Sequence, residues 1–591
     1  QKAMKKALGE CKIVDPAVGS GSFLVGMLNV LCELLDALAE SLERKRHDRF
    51  QLKRRLILNN LYGVDVKDWA VRACELRLFL SLLVELPDGT VPKSAKPEPI
   101  LPNLDFRVRV GDSIVQEVPQ VPFPLILRKQ TNVALLPIQK KLQDLAKEKE
   151  TLEEAPPAQL ARREQKIFAK EREIAAKLLE NAFKKTEAEI ANTLKELERA
   201  KGKQRQKLQQ QLEALKQFAQ QIRNQQERLR RGEPIPLFLW EVAFPEVFLN
   251  SNGSKQGFDI VIMNPPYVRQ EKIAPPTPLS PQDYKEAIER NIYALWGETV
   301  EVKSKSESSG RADLYVPFFF VGTALLKPKG VLCLVTSNAW LDVDYGKAVQ
   351  KFLLSKTHWI MTIDNLKRRT FAQSAINTVI TLAVRPEEGE NVWDNEVRFV
   401  AFKVPFDELS PDLMAIAFEE IFEAEERKQT KEYRVTPKTQ KELYLEGAEV
   451  SEEKETSQQL IEDLSKLNYV GNKIGGKYLR APDIFFTILE KGKDRLVRLG
   501  DIAELMAGII TGNNARFYRP WSQGQPIPQG WSPAFKSPRD VHTIELRAQH
   551  ACHLIKIQGV PYTIKRAPLL WPDLRGARHI CHYNQSNLPF E

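Results

Sequence analysis

Residues 11–23 read Cys-Lys-Ile-Val-Asp-Pro-Ala-Val-Gly-Ser-Gly-Ser-Phe, and this stretch decides the fold. Its isoleucine and valine predict a short strand at residues 11–15, and the apolar segment from Leu24 to Leu42 predicts a long helix. Between them, Gly19 and Gly21 would let the backbone approach a ligand closely, at a helix N-terminus with free N–H groups. A tight strand-to-helix turn without a ligand explains the two glycines about as well. The stretch therefore predicts a strand–loop–helix unit and leaves its ligand open.

Strands and helices continue to alternate after this unit. The predicted strands are Leu61–Asp65, Phe106–Val110, Phe258–Met263, Val331–Thr336, Trp359–Ile363 and Ile376–Val384, and the clearest helices are Trp69–Leu86 and Leu314–Lys327. Such alternation predicts a Rossmann-like α/β core, in which a parallel, doubly wound sheet binds ligands at the carboxyl ends of its strands.

The strand Phe258–Met263 stops abruptly at Asn264-Pro265-Pro266-Tyr267. A double proline after an apolar run predicts a rigid loop at the end of a buried strand. The loop offers an amide side chain, backbone carbonyls and an aromatic ring. Together these groups suit a planar amino group, because the oxygens accept its hydrogens and the ring stacks on it. A strand that ends in Asn-Pro is otherwise an ordinary turn, so the pattern alone leaves both interpretations open.

Two carboxylates follow other strands of the predicted sheet. Asp65 ends the second strand, where a carboxylate can bind both hydroxyls of a ribose or cap the helix near Trp69. Asp112 follows the third strand, where it could accept from an adenine amino group or serve as a turn residue. These carboxylates, the glycines and Asn264 all fall at the carboxyl ends of strands in one sheet. We therefore expect them to share a single crevice.

Composition narrows the class of protein. The chain has 591 residues, of which 42% are hydrophobic, and this length predicts about three or four domains. A net charge of +10 favours a polyanionic partner. The longest apolar run, Leu314–Leu326, is too short to span a bilayer, and no signal peptide is evident, so no membrane association is expected. Six scattered cysteines fit a reducing, cytoplasmic setting.

Because the chain begins without Met, we expect upstream sequence to be missing.

The predicted core is interrupted by residues 138–232, which are rich in Lys, Glu, Gln, Leu and Ala. Apolar residues recur there at helical spacing, which predicts an inserted helical hairpin or coiled coil. The segment contains 23 basic and 15 acidic residues, so it carries most of the net charge of the chain. This charge indicates either a solvated helical face or contact with a nucleic-acid backbone.

Domain boundaries follow from these shifts in composition. Residues 1–137 and 233–395 form the two parts of the core around the insertion, residues 396–490 read as a charged linker with some helix, and residues 491–591 form a mixed α/β domain that is incomplete. Two His-x-Cys-His motifs lie in this last domain, with His550, Cys552, His579 and Cys581 as candidate zinc ligands. Their spacing matches no known finger, so they are interpreted as exposed basic residues and no metal is predicted.

The combination of residues 15–23 with Asn264–Tyr267 resembles the gamma class of amino-methyltransferases that act on adenine in DNA. In that class the glycine motif comes first, the Asn-Pro-Pro-Tyr motif second and a target recognition domain last, which is the order here. Trp240 and Phe244–Phe248 resemble the large fused type IIG restriction–modification enzymes and the BREX-like phage-exclusion methyltransferases. Gly508–Phe517 resembles the opening of a recognition domain. The upstream motif that helps these enzymes to bind the methionine part of the cofactor is absent.

The resemblance implies a class I methyltransferase that uses S-adenosylmethionine to methylate adenine N6 in double-stranded DNA after base flipping. Asn264 and Pro265 would accept the two N6 hydrogens, Pro266 would stiffen the loop, and Tyr267 would stack on the base. The implied cofactor-binding residues are Asp15, Pro16, Ala17, Gly19, Gly21, Phe23, Asp65, Asp112 and Ser113.

The implied setting is a cytoplasmic restriction–modification or phage-defence system, with defence proteins or a nuclease domain fused upstream as further partners. Asn-Pro-Pro-Tyr also serves enzymes that methylate RNA or protein glutamine, which are usually small. A further alternative is a DNA-binding subunit whose methyltransferase core is silent. The intact motif residues argue against such decay.

Overall fold

A computed structural model gives the fold. The described residues are 1–44, 46–86, 104–115, 117–118, 121–122, 136–152, 157–231, 238–249, 257–269, 272–273, 280–297, 312–367, 377–448, 464, 467–492, 495–496, 518–520, 525–526, 531–534, 553–556, 569–572 and 578–581. The chain forms two compact units, residues 1–481 and residues 482–591.

The helices are α1 (Lys2–Glu10), α2 (Ser22–Glu43), α3 (Arg49–Asn59), α4 (Asp68–Leu83), α5 (Leu136–Glu150), α6 (Pro157–Arg199), α7 (Gly202–Arg230), α8 (Trp240–Ala243), α9 (Pro245–Phe248), α10 (Pro281–Trp296), α11 (Val316–Leu325), α12 (Lys347–Lys356), α13 (Pro411–Glu423), α14 (Gln440–Glu446) and α15 (Asp483–Lys491). The strands of the first unit are β1 (Ile13–Asp15), β2 (Leu61–Asp65), β3 (Val108–Val110), β4 (Glu117–Val118), β5 (Val121–Pro122), β6 (Phe258–Met263), β7 (Leu326–Ser337), β8 (His358–Asn365), β9 (Thr378–Val384), β10 (Glu396–Phe402), β11 (Lys428–Gln429) and β12 (Tyr433–Thr439). The second unit adds β13 (Tyr518–Pro520), β14 (Trp531–Ala534), β15 (His553–Lys556), β16 (Leu569–Pro572) and β17 (Arg578–Cys581).

Within the described residues, one large mixed sheet has the strand order β11-β12-β10-β8-β9-β7-β6-β1-β2-β3. Strands β1, β2, β3, β6, β7, β8 and β10 all point the same way, and β9 is antiparallel to both of its neighbours. The order from β3 to β8 is the doubly wound order with β9 inserted before its last strand. The predicted doubly wound α/β core is confirmed.

The parallel direction expected for the strand at residues 376–384 is wrong. Only residues 366–377 connect β8 to β9, which is at the lower limit for a crossover connection with a helix. The chain therefore turns back, and β9 pairs antiparallel with β8 and with β7.

The order of strands reverses at β1, which lies between β2 and β6. The register places Val14 beside Tyr62 on one side and Val261 on the other. The loops that follow β1, β2, β3 and β6 therefore leave from one edge of the sheet. In doubly wound sheets the ligand crevice opens at this reversal, outside the carboxyl ends of the strands.

Helices α2, α3 and α4 cover β1 and β2 and build the main core around the glycine loop. Leu24, Leu28 and Leu35 of α2 are at most 1% exposed and pack with apolar residues of α3, α4 and β2. Among the described helices, α2 is long and apolar enough to cross a membrane by length and composition. Its burial in this core accounts for that apolar character.

The linker predicted for residues 396–490 is only partly what the structure shows. Residues 396–402 and 433–439 form β10 and β12, which pair antiparallel and extend the large sheet beyond β8. Four charged residues, Glu396, Arg398, Arg434 and Lys438, lie among the apolar residues of these two strands, and this charge resembles that of a linker. Helices α13 and α14 supply the expected helical part.

The insertion is helical, as its composition predicted, and consists of α5, α6 and α7. In the second unit, β13, β15 and β14 form one antiparallel sheet and β16 pairs with β17. The Gly508–Phe517 motif, His550 and Cys552 lie outside the described residues. His579 and Cys581 fall in β17. Where the structure describes the chain, no cluster of three or more His, Cys, Asp or Glu could hold a metal ion.

Candidate active site

The glycine loop after β1 is shaped by its own backbone. The side chain of Asp15 accepts a hydrogen bond from the Ala17 N–H at 2.9 Å. The Val18 N–H donates to the Val64 carbonyl at 3.0 Å, which ties the loop to the end of β2. A Cβ at Gly63 would come within 2.9 Å of the Val18 side chain, so only glycine on β2 lets the loop pack so closely.

Gly19 and Gly21 have different structural requirements. Both adopt positive φ, +51° and +81°, which favours glycine. A Cβ on Gly21 would lie 2.6 Å from the sulfur of Cys74, so this glycine also permits α2 to pack on α4. A Cβ on Gly19 would meet nothing within 4 Å. The backbone at Gly19 is therefore open to an incoming molecule.

Asp65 links the first two loops of the crevice. One carboxylate oxygen accepts from the Gly19 N–H at 3.0 Å and the other from the Lys67 N–H at 2.9 Å. The side chain is partly exposed. Each oxygen keeps a second lone pair, so the carboxylate can still accept hydrogen bonds from a ligand.

Asp15 is almost completely buried, at 1% exposure. The pKa of its carboxyl is raised to about 8, mainly by burial; the hydrogen bond from Ala17 opposes this rise and the negative charge of Asp65 adds to it. Two carboxyl groups with different environments thus lie side by side at the ends of β1 and β2.

Asp112 and Ser113 connect the loop after β3 to the rest of the crevice. One oxygen of Asp112 accepts from the Ile114 and Val115 N–H groups, and the other accepts from the Tyr284 hydroxyl at 2.7 Å. Burial raises the pKa of Asp112 despite these hydrogen bonds. Ser113 donates to the Pro16 carbonyl at 2.6 Å, which fixes the third loop to the first.

Sequence reasoning missed Tyr284, although it reaches directly into the candidate site. It lies on α10, whose first turn is capped by the Ser280 side chain. The tyrosine is 3% exposed, and burial and the charge of Asp112 raise the pKa of its hydroxyl. A Ser-Pro start followed by an apolar stripe could have revealed the helix, but not the residue that its tyrosine contacts.

Asn264 and Tyr267 contact each other at the end of β6. The Tyr267 hydroxyl is within hydrogen-bond distance of the Asn264 side-chain oxygen, and lies 2.9 Å from the Val335 carbonyl on β7. Burial raises the pKa of Tyr267, so the hydroxyl stays protonated and acts as a donor. Of the two prolines between them, Pro265 is buried and Pro266 is exposed.

A second tyrosine supports the ring of Tyr267. The rings of Tyr267 and Tyr315 pack edge to face, with centroids 6.4 Å apart. The hydroxyls of Tyr315 and Tyr345 are 3.0 Å apart, and Tyr345 donates to Asp313 at 3.3 Å. Sequence reasoning predicted Tyr267 but missed Tyr315 and Tyr345, because these two lie 48 and 78 positions farther along the chain.

The predicted site residues thus fall into two groups on adjacent strands. Asp15, the glycine loop, Asp65 and Ser113 are joined by backbone and side-chain hydrogen bonds around β1, β2 and β3. Pro16 is buried, while Ala17 and Phe23, the latter in the first turn of α2, are partly exposed. Asn264–Tyr267 follow β6, on the other side of β1. Asp112 follows β3, and its partner Tyr284 lies on α10, which comes after the Asn264–Tyr267 loop in the chain.

Comparisons with known proteins match this part of the chain. The family described as Eco57I restriction-modification methylase matches residues 59–371, which include Asp65, Asp112 and Asn264–Tyr267. The MmeI DNA-methyltransferase domain matches residues 1–90, which include the glycine loop.

Similar curated proteins come from restriction–modification systems. A putative type II restriction enzyme and methyltransferase of Methanocaldococcus jannaschii, RM.MjaORFECS2P, is 40% identical over 114 residues, 19% of this chain and 9% of that protein. The type II methyltransferase M.BstVI of Geobacillus stearothermophilus is 27% identical over 187 residues, 29% of each chain. The matches thus span less than a third of each of these relatives.

Among solved structures, a modification subunit of a putative type I restriction enzyme from Vibrio vulnificus is 12% identical, with a TM-score of 0.33. The match covers 80% of this chain and 58% of that one.

Proposed function

Because this chain belongs to the Eco57I restriction-modification methylase family, we propose that it is a DNA methyltransferase that methylates adenine N6 with S-adenosylmethionine. The contact between Tyr267 and Asn264 carries the proposal. It joins an aromatic ring and an amide oxygen in one rigid loop, beside the crevice at the reversal of strand order.

The residues around β1 and β2 suit the methyl donor. The open backbone at Gly19 leaves room for a ligand, and the partly exposed carboxylate of Asp65 retains lone pairs for the hydroxyls of a ribose. Asp112 has a narrower role, because three internal donors already use its oxygens. The oxygen bound by Tyr284 keeps one lone pair, which could accept from the adenine amino group of the donor.

The loop after β6 suits a flipped base. Adenine N6 lies inside the duplex, so the base must leave the stack at a cost of a few kcal/mol. Stacking on Tyr267 would offset part of this cost, since base–aromatic stacking contributes about 1–3 kcal/mol. The edge contact with Tyr315 holds the Tyr267 ring in place before the base arrives, and so does its hydroxyl, whose single hydrogen is shared between the Asn264 side-chain oxygen and the Val335 carbonyl.

Asn264 and Pro265 would orient the amino nitrogen. The Asn264 oxygen accepts from Tyr267 through one lone pair and keeps the other for an N6 hydrogen. The Pro265 carbonyl would accept the second hydrogen. Drawing both hydrogens toward these oxygens directs the nitrogen lone pair at the methyl group. S-adenosylmethionine, when bound, supplies a methyl group on a sulfonium leaving group, so the protein contributes positioning and electrostatics and needs no strong general base.

The substrate and setting are part of the same proposal. Matches to restriction–modification proteins favour double-stranded DNA over RNA or protein glutamine. We place the protein in the cytoplasm, within a restriction–modification or phage-defence system. A nuclease domain or defence proteins would act with it there.

Single-molecule sequencing of genomic DNA tests the proposal. Cells that carry the full-length gene should show N6-methylated adenine in one sequence context. Cells that carry the Asn264→Ala variant should show none. Absence of any modified base, or modification of cytosine alone, would contradict the proposal.

A further inference from the structure

The helical insertion forms an arm that is anchored at one end. The first half of α6 is fixed to the core by Glu171, which is 8% exposed and bridges Lys149 at 2.8 Å and Arg109 at 2.9 Å. Phe168 packs on Phe106, with ring centroids 4.9 Å apart. These contacts join the base of the arm to β3 and to the helices beside it.

Beyond this base, α6 and α7 pack on each other. Leu179 and Ala182 of α6 form a small core with Ile222 of α7. Buried and half-buried residues of α7 recur at alternating spacings of four and three, from Leu208 to Leu229, which is the repeat of a coiled coil. From this core to the turn at Gly202 is about 20 residues of each helix, or about 30 Å.

Charge is distributed unequally between the two helices of the arm. In α6, ten basic residues accompany eight acidic ones, whereas α7 has seven basic and two acidic residues. On α6, Lys177 and Lys184 both pair with Glu180, at 2.8 and 2.7 Å. Most of the negative charge that could neutralise the arm is therefore on α6.

The tip of the arm is the most basic part. Five cations occur within nine residues that contain no acid: Arg199, Lys201, Lys203, Arg205 and Lys207. All five are exposed, and none forms a salt bridge within the part of the chain that the structure describes. A solvated helix face usually carries alternating charges, as α6 does. A run of unpaired cations at the end of the arm therefore indicates an anionic partner.

We propose that the tip of the arm, residues 199–207, binds the phosphate backbone of duplex DNA. The inference rests on the proposed function, which makes DNA the substrate. Lysine and arginine neutralise phosphates without reading bases, so the contact would add affinity but no sequence specificity. It would hold DNA while Asn264 and Tyr267 act on one base.

The test compares two triple variants of the full-length protein. Lys203→Gln/Arg205→Gln/Lys207→Gln removes tip cations, and Lys177→Gln/Lys184→Gln/Lys185→Gln removes the same charge from paired lysines of α6. Glutamine is a good helix former, so both arms should remain helical. Binding of a fluorescein-labelled duplex of arbitrary sequence is titrated by anisotropy over a range of salt concentrations, and wild-type methylation is measured in parallel.

We expect the slope of log affinity against log salt to become shallower by about two to three for the tip variant and by less than about one for the control. An unchanged slope in the tip variant, or equal changes in both, would overturn the inference. If DNA binding is unchanged but the tip variant loses self-association by light scattering, the arm instead docks protein. With any of these three results, a wild-type protein that still methylates DNA would leave the proposed function standing and overturn only the inference about the arm. A wild-type protein that neither binds nor methylates DNA would overturn the proposed function as well.

Discussion

The Tyr267 hydroxyl hydrogen-bonds to the side-chain oxygen of Asn264, so the proposed stacking ring and the proposed amino-group acceptor are fixed to each other. Two residues of one loop, separated by two prolines, thus form a unit whose geometry exists before any base is present. Because the two side chains have different proposed roles in this unit, substitution of each should impair methyl transfer in a different way.

Tyr267→Phe keeps the ring and removes its hydroxyl. Since one hydrogen bond contributes about 1 kcal/mol, we expect methylation of DNA to slow about fivefold. Tyr267→Ala also removes stacking on the base, so methylation should be about tenfold or more slower than in the Phe variant. Transfer of a tritiated methyl group to genomic DNA measures both, and Tyr293→Phe, an exposed tyrosine of α10, is the control. Equal losses for the Phe and Ala variants would mean that the ring does not stack on the base.

Asn264→Ala should abolish methyl transfer and leave binding of S-adenosylmethionine largely intact, because the role proposed for this side chain is to hold the base and not the donor. Calorimetry measures donor binding, and the tritium assay measures transfer. Asn29→Ala, at an exposed position of α2, should change neither. Equal loss of binding and transfer would remove the role assigned to Asn264.

Asp65→Ala should weaken binding of S-adenosylmethionine about tenfold to a hundredfold, because hydrogen bonds to a charged group contribute about 1.5–3 kcal/mol. It also leaves the Gly19 and Lys67 N–H groups without their acceptor. Asp48→Ala is the control, since this exposed aspartate caps α3. An unchanged dissociation constant for the Asp65 variant would place the donor elsewhere.

Gly21→Ala should lower the melting temperature markedly. Its φ of +81° strains any other residue, and the new Cβ would lie 2.6 Å from the Cys74 sulfur. The free energy of unfolding should therefore fall by about 2–4 kcal/mol. Gly26→Ala, within α2 and with nothing near its Cβ, should instead stabilise by roughly 0.5–1 kcal/mol. Thermal unfolding of the two variants checks both signs. A Gly21 variant as stable as wild type would contradict the packing described here.

Asp15 predicts a pH dependence of stability. Its pKa is raised to about 8 in the folded chain from a usual value of 3.8, because it is buried. Between these values the folded state binds a proton that the unfolded state releases, so this group's contribution to stability falls as pH rises and levels off above about pH 8. Asp15→Asn keeps an acceptor for Ala17 and cannot ionise. Its melting temperature relative to wild type should therefore rise from pH 5 to pH 8, and a constant difference would contradict the buried carboxyl.

The sequence revealed the parts of the site that are local. Strand, turn and functional residue lie within a few positions of each other at Asp15–Gly21, Asp65 and Asn264, so pattern and residue type are visible together. The contact of Tyr284 with Asp112 was invisible because the two lie 172 residues apart. Support of Tyr267 by Tyr315 and Tyr345 depends in the same way on tertiary packing.

The same distinction between local patterns and long-range contacts explains which predictions of the fold were wrong. The charged residues of β10 and β12 are typical of a linker by composition, and only the pairing of β10 with β8 and of β12 with β10 shows that both strands belong to the sheet. The direction of β9 depends on the length of its connection to β8, which hydrophobic patterns do not encode.

The pairing of β1 with β6 constrains how the chain can fold. The Lys12 N–H donates to Asp259, 247 residues farther along, so the central strands meet only after the whole insertion has been synthesised. Until then one edge of β1 has no partner, and an unpaired central strand can pair with the wrong chain. The coiled coil of α6 and α7 depends on near neighbours and can form early, which is expected of helical hairpins with low contact order. Ribosomal pausing or truncation between residues 231 and 258 would therefore leave a formed arm beside an unfinished, aggregation-prone sheet.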